Sequence, residues 1–135
     1  MSMFCYQCQE AAKGVGCTVA GMCGKTADVS NLQDLLIYTS KGVALFSSAL
    51  RAIEVVEATT DRYLIESMFV TITNANFDDA NILKRIKAGL KLRDELKASC
   101  AAKGLKVRFG NDDVATWNAS TDAEFNAKSG NVGVL

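Results

Sequence analysis

Histidine and proline are absent from the 135 residues, and each absence excludes a class of chemistry or structure. Without histidine, a Ser-His-Asp triad, a Cys-His pair and imidazole ligation of a metal are excluded. Cysteine, which occurs five times, is the distinctive reactive side chain that remains. The lack of proline, together with many Ala, Leu, Lys and Ile residues, favours long uninterrupted helices. The expected fold class is therefore all-α.

The sequence also lacks a net charge, because 15 basic residues balance 15 acidic ones. No long-range field would hold the protein on nucleic acid or on an anionic membrane, so neither is an expected partner. No apolar run approaches the ~20 residues that a membrane-spanning helix needs. The first cysteine is at position 5, which leaves no room for a cleaved secretory signal. The cytoplasm is the expected compartment.

Apolar residues at helical spacing predict three long helices. In the first they recur at steps of three, four or seven: Leu32, Leu36, Val43, Phe46, Leu50 and Ile53. Asp28 or Ser30 is the expected cap. The second helix, after Asp61, is expected to bury one side: Leu64, Ile65, Met68, Phe69 and Ile72.

The third helix is predicted between Asp78 and Gly104. Its apolar residues alternate with a basic face that we expect to be solvated: Lys84, Lys87, Lys91, Arg93 and Lys97. Residues 105–120 lack helical period and are predicted to form a surface excursion anchored by Trp117. Thr121 with Glu124 predicts a capping box for a short last helix.

These elements predict an antiparallel three-helix bundle over residues 28–135 and a cysteine-rich loop over residues 1–27, which together form one compact domain. The apolar ending, residues 132–135, is unusual for a free C-terminus in water and suggests a cut inside a longer protein. Such a fragment would expose an apolar face, so self-association is expected.

Four of the five cysteines lie close together in the loop, with the spacing Cys5-x2-Cys8-x8-Cys17-x5-Cys23. This crowding indicates one shared ligand. Thiolates suit an iron–sulfur cluster because they are soft and tolerate a change of oxidation state. Glycines beside Cys17 and Cys23 allow the backbone to wrap closely, and an apolar cover is expected from neighbouring side chains: Phe4, Tyr6, Val15, Val19 and Met22.

Zinc and two disulfides are the alternatives for these thiols. A structural zinc site usually has two pairs of short spacing, and the x5 spacing of the second pair weakens that interpretation. Disulfides belong mainly to oxidising compartments. The spacing therefore favours iron–sulfur and leaves both alternatives open. Cys100, late in the third helix, is interpreted as a small buried hydrophobe.

Three segments of the loop resemble the N-terminus of the hybrid cluster protein family, also called hydroxylamine reductase or prismane protein: residues 4–10, 16–18 and 21–25. Residues 32–38 and 71–78 are also similar to that family. The cysteine spacing resembles that of members that carry a four-iron four-sulfur (4Fe-4S) cluster, so the resemblance implies that Cys5, Cys8, Cys17 and Cys23 bind such a cluster. Ala11 departs from the family's threonine and leaves these ligands unaffected.

The resemblance implies an electron-transfer module, the N-terminal part of an oxidoreductase that reduces hydroxylamine or nitric oxide at a hybrid cluster. That centre takes a histidine, a glutamate and cysteines from later domains, so no reductase activity is expected from this chain alone. The implied partners are the remaining domains of the full-length protein and a redox electron donor. In air the cluster is open to loss, which leaves empty or oxidised thiols. The alternative function is a structural module, in which zinc or an inert cluster pins the loop to the bundle.

Two polar features near the loop and the helix ends have competing interpretations. Lys25 is either a solvated lysine or a cation that offsets cluster charge. The four residues Asn74, Asn76, Asp78 and Asp79 suit caps and turns between helices better than a polar site.

Overall fold

The computed structural model describes residues 2–73 and 77–133. The elements are α1 (Ala27–Arg51), α2 (Ala58–Ile72), α3 (Asp79–Ala102) and α4 (Asp122–Ser129), with a 3-10 turn at Ala12–Gly14. The predicted all-α fold class is confirmed. Helix α1 begins earlier than predicted, because Thr26 caps it in place of Asp28 or Ser30. The Thr26 hydroxyl oxygen accepts a hydrogen bond from the Val29 N–H at 3.3 Å.

Helix α1 is central and contacts each of the other three helices. One core cluster joins the N-terminal halves of α1 and α3 with α4: Val29, Leu32, Leu35, Leu36, Ile82, Ile86, Leu90 and Phe125. A second core cluster joins the C-terminal halves of α1 and α3 with the segment after α3: Val43, Phe46, Leu50, Leu96, Cys100 and Ala115. Because the N-terminal halves of α1 and α3 pack together, and so do their C-terminal halves, the two helices run parallel.

Helix α2 runs antiparallel to both of its long neighbours. Val70, near its end, packs against the first cluster, whereas Tyr63 and Leu64, near its start, pack against the second. The three long helices therefore run up, down and up, which is the predicted bundle with antiparallel sequential neighbours. Helix α4 adds a short fourth element beside the first cluster, and its capping box between Thr121 and Glu124 is confirmed.

The predicted buried face of α2 is largely wrong. Ile65, Phe69 and Ile72 are 70%, 62% and 53% exposed, and Met68 is also exposed, whereas Leu64 is partly buried. The residues that α2 buries are small and polar: Thr60, Ser67 and Thr71. Small side chains let α2 approach the bundle closely, and this turns the larger apolar stripe outward.

The predicted basic face of α3 is wrong at one position, since Arg93 is 2% exposed while the lysines of that face are exposed. The Arg93 guanidinium donates hydrogen bonds to the carbonyl oxygens of Val114 (3.3 Å) and Trp117 (2.6 Å) and to the Asp94 carboxylate (2.7 Å). Arg93 therefore holds residues 105–120 against the bundle from within. Trp117 also anchors this segment, as predicted, by packing edge-on against Phe125.

Helix α3 ends at Ala102. Gly104 follows with a φ of +69°, the left-handed conformation that commonly ends a helix, so its predicted role as the helix stop is confirmed. The Asp78 carboxylate caps the start of α3, accepting from the Ala80 N–H at 2.9 Å. Asn74 and Asn76, and the last two residues of the apolar ending, lie outside the described residues. Among the helices that the structure describes, none combines the length and hydropathy required to cross a bilayer.

Candidate metal centre

The cysteine loop lies at the end of the bundle where α1 begins and α2 ends. Its start is held by Met3, which is buried, and by the Asn31 side-chain amide, which donates to the Ser2 carbonyl oxygen at 3.3 Å. Its end is held by Lys25, whose ammonium donates to the Thr71 carbonyl oxygen of α2 at 3.4 Å. The loop is thus attached to two helices at opposite ends of its own sequence.

Cys5 and Cys17 are paired through their backbones. The Cys5 N–H donates to the Cys17 carbonyl oxygen at 3.0 Å, and the Cys17 N–H donates to the Cys5 carbonyl oxygen at 2.9 Å. Gly16, just before the pair, has a φ of +150°, and a Cβ there would lie 2.5 Å from the Phe4 ring. The pair therefore depends on glycine at position 16.

The backbone of two residues, Ala12 and Met22, donates to the Cys17 thiol. The Ala12 N–H points at its Sγ at 3.4 Å. Hydrogen bonds from the backbone of Ala12 and of Met22, the two largest effects, lower the pKa of Cys17, and burial opposes them. Donors that stabilise a thiolate are the groups that also tune sulfur bound to iron.

Cys8 and Cys23 lie in two turns that flank this pair. The Ala11 N–H donates to the Cys8 carbonyl oxygen at 3.3 Å. In the second turn the Gly21 N–H donates to the Lys25 carbonyl oxygen at 2.8 Å, which encloses Cys23. A Cβ at Gly21 would lie 3.0 Å from the Cys23 Sγ, so this turn too is closely wrapped.

The four thiols differ in burial and do not form one closed group. Cys17 is buried, Cys5 and Cys8 are partly exposed, and Cys23 is exposed. Over residues 2–73 and 77–133, no three Cys, Asp or Glu side chains converge in a group that would hold a metal ion. All five cysteines are free thiols. The structure therefore brings Cys5 and Cys17 together through their backbones and leaves Cys8 and Cys23 in the flanking turns.

The chemistry of the donors nevertheless fits an anionic, sulfur-ligated group. The loop offers four thiols as soft donors, N–H groups already point at Cys17, and the Lys25 ammonium lies 3.7 Å from the Cys5 Sγ. The positive end of the α1 dipole begins two residues after Lys25. Each of these features stabilises negative charge on sulfur.

The expected apolar cover is not formed by these side chains. Tyr6, Val15, Val19 and Met22 are 58%, 72%, 86% and 69% exposed, and Phe4 alone is partly buried. These four side chains point away from the few buried residues of the loop and lie at its surface. By contrast, Cys100 is buried as predicted. Its thiol donates to the Phe46 carbonyl oxygen at 3.6 Å, and burial raises its pKa.

Sequence reasoning left Lys25 undecided and missed Asp34. Lys25 is 2% exposed, so the solvated interpretation is wrong.

Asp34 is also buried, on the first turns of α1. Burial raises its pKa to about 6, and the positive charge of Lys25 opposes that rise. An acidic residue among the leucines at positions 32, 35 and 36 was the available signal.

Comparison with known proteins identifies the chain's family. The sequence model of the Prismane/CO dehydrogenase family matches residues 3–130, which is nearly the whole chain. This chain belongs to that family. Its similar relatives include proteins named hydroxylamine reductase from Desulfitobacterium hafniense strain DCB-2, at 50% identity over 135 residues, and from Caldanaerobacter subterraneus subsp. tengcongensis, at 52% over 136 residues. A hydroxylamine reductase from Bacteroides thetaiotaomicron is 46% identical over 136 residues.

All three family relatives are much longer than this chain. The alignments cover 100% of this chain but 25%, 25% and 24% of the three enzymes, respectively. The chain thus spans about a quarter of the length of the relatives it matches.

Proposed function

We propose that this chain is the electron-transfer module of a hydroxylamine reductase-type protein, with Cys5, Cys8, Cys17 and Cys23 binding a 4Fe-4S cluster. The arrangement around the Cys5–Cys17 pair carries the proposal. It combines free thiols, N–H donors on Cys17 and a buried ammonium beside Cys5. An iron–sulfur cluster supplies one-electron transfer when it is bound.

The four cysteines of the loop would contribute to cluster binding in different ways. Cys17 is the thiol whose surroundings best favour ligation, because it is buried and its sulfur already receives N–H hydrogen bonds. Cys5 is fixed to it by two backbone hydrogen bonds. Cys8 and Cys23, in the two turns, would complete the set by closing over the bound group. Cys100 lies in the bundle core and is not part of this set.

Anaerobic purification with metal analysis tests the proposal. We expect about four irons per chain and a broad visible absorption that bleaches on reduction. Cys17→Ala should abolish both, whereas Cys100→Ala, the matched control, should retain them. Iron binding that survives the loss of Cys17 would contradict the ligand assignment. Stoichiometric zinc with no visible absorption would support the structural alternative instead.

Reductase activity is proposed for the longer protein and not for this chain alone. By the resemblance, the reducing centre requires a histidine and other ligands from later domains, and this chain has no histidine. We expect the loaded chain to accept and donate electrons without reducing hydroxylamine. Turnover of hydroxylamine by the purified chain would contradict this. Reduced thiols are the form required, so the proposed compartment is the cytoplasm.

The exposed stripe on α2 is the surface proposed to contact the remainder of the protein. Ile65, Phe69 and Ile72 follow one another at steps of four and three residues, so they share one side of the helix. The relatives are about four times as long, which provides further chain to cover that side. In isolation the same stripe would promote self-association.

A further inference from the structure

Lys25 is a buried cation at the junction of the cysteine loop and the bundle. It is 2% exposed, although lysine is almost never fully buried unless its charge is paired. It directly precedes Thr26, the cap of α1, so its backbone is fixed by the start of that helix. A lysine held in this way has a defined position relative to the loop.

Two electron-rich groups from different elements face the Lys25 ammonium. Its Nζ lies 3.7 Å from the Cys5 Sγ and 3.4 Å from the Thr71 carbonyl oxygen. Thr71 is the penultimate residue of α2, so its carbonyl belongs to the negative end of that helix and has no partner within it. Asp34 of α1 is the carboxylate that interacts with Lys25 electrostatically. Lys25 therefore connects the thiol of Cys5 to the end of α2.

We propose that Lys25 is a positioning residue for the iron–sulfur cluster, which fixes the Cys5 thiolate against the end of α2 and raises the reduction potential of the bound cluster. This inference rests on the proposed function. Reduction adds one electron, taken from an external one-electron donor, to a group that is already anionic, and no bond is made or broken. A fixed positive charge stabilises the more negative state more strongly, so it favours reduction.

Lys13 is a natural control for this charge. It lies in the same loop, between Cys8 and Cys17, but it is exposed to solvent. Water and salt screen an exposed charge far more than a buried one. Replacement of either lysine by methionine removes the same charge from the same loop, and only the buried one should matter.

The test compares Lys25→Met, Lys25→Arg and Lys13→Met with the unaltered chain. All four are loaded anaerobically, and iron per chain and the midpoint potential are measured with dithionite and optical detection. In Lys25→Met we expect at least about a tenfold fall in the ratio of reduced to oxidised cluster at a fixed potential, or about 59 mV. Lys25→Arg should keep most of the potential, and Lys13→Met should change that ratio by less than about threefold.

Each other outcome also decides the proposal. A Lys25→Met chain that binds iron with an unaltered potential overturns it. If Lys25→Met fails to bind iron while Lys25→Arg succeeds, the positioning role is supported. If neither Lys25→Met nor Lys25→Arg binds iron while Lys13→Met loads normally, the proposal is overturned, because the positive charge retained in Lys25→Arg is then not what supports the cluster. Failure of the unaltered chain to bind iron refutes the proposed function itself, which distinguishes the two.

Discussion

Asp34 is expected to make the stability of the protein fall as the pH rises. The carboxyl group is 9% exposed, and burial raises its pKa from 3.8 to about 6 despite the attraction of Lys25. A shift of about 2 pH units corresponds to about 3 kcal/mol. Because the folded pKa lies above the unfolded one, the folded state binds more protons between these values. The penalty is absent below pH 3.8, grows between about pH 4 and 6, and is complete above that.

Asp34→Asn removes the ionisation and should flatten this dependence. At pH 7.5 the variant is expected to gain up to about 3 kcal/mol in free energy of unfolding relative to the unaltered chain, and at pH 4 to gain little. The gain is an upper value because the buried amide also needs hydrogen-bond partners.

Urea denaturation of the reduced, metal-free chain between pH 4 and 8 measures the effect. Glu95→Gln is the control, since Glu95 is an exposed carboxylate on α3 and its loss should leave the profile unchanged. Parallel profiles for Asp34→Asn and the unaltered chain would refute the reasoning, because they would mean that burial of Asp34 carries no free-energy penalty.

Three further changes test other parts of the structure. Gly16→Ala places a Cβ 2.5 Å from an aromatic ring and should lower the free energy of unfolding by about 1–3 kcal/mol, whereas Gly110→Ala, with open space around it, should change it little. Arg93→Met leaves two carbonyl oxygens without their donor and should cost about 2–4 kcal/mol in thermal unfolding, against almost none for the exposed Lys91→Met. Phe69→Ser should reduce self-association in light scattering without loss of stability, and a monomeric unaltered chain at high concentration would contradict this.

The helices were predictable because local signals agree with the packing. In α1 and α3 the apolar residues form one stripe each, and both stripes enter the core. Ile53 is the exception in the predicted stripe of α1, because it lies beyond Arg51, where the helix ends, and is 44% exposed. The capping box at Thr121 and the stop at Gly104 are local chemistry that needs no distant partner. Helix α2 was different, because it has an apolar stripe and a small polar stripe on different sides. Periodicity identifies both stripes but does not determine which one packs.

The burial of Arg93 and of Lys25, which the sequence did not predict, depends on residues far away in the sequence. Arg93 is buried because carbonyl oxygens of residues 114 and 117 point at it, and a lysine-rich face gives no sign of that. Lys25 is buried because the end of α2, 46 residues later, supplies an acceptor. The cysteine spacing, by contrast, is local and was sufficient to select the candidate ligands. The N–H donors around Cys17 depend on how the loop wraps, which the spacing alone does not determine.

The division between core and loop determines which part of the protein a bound cluster would stabilise. Both core clusters consist of residues from 29 onward, whereas among the described residues 2–25 the buried ones are Met3, Ala11, Cys17 and Lys25. The bundle therefore has its own source of stability, and the loop is held by a few polar contacts. Free energy gained from four thiolate bonds would appear mainly as stability of the loop. Lys25, which donates to the end of α2, and Asn31, which donates from α1 to the Ser2 carbonyl oxygen, are contacts through which that gain can reach the helices.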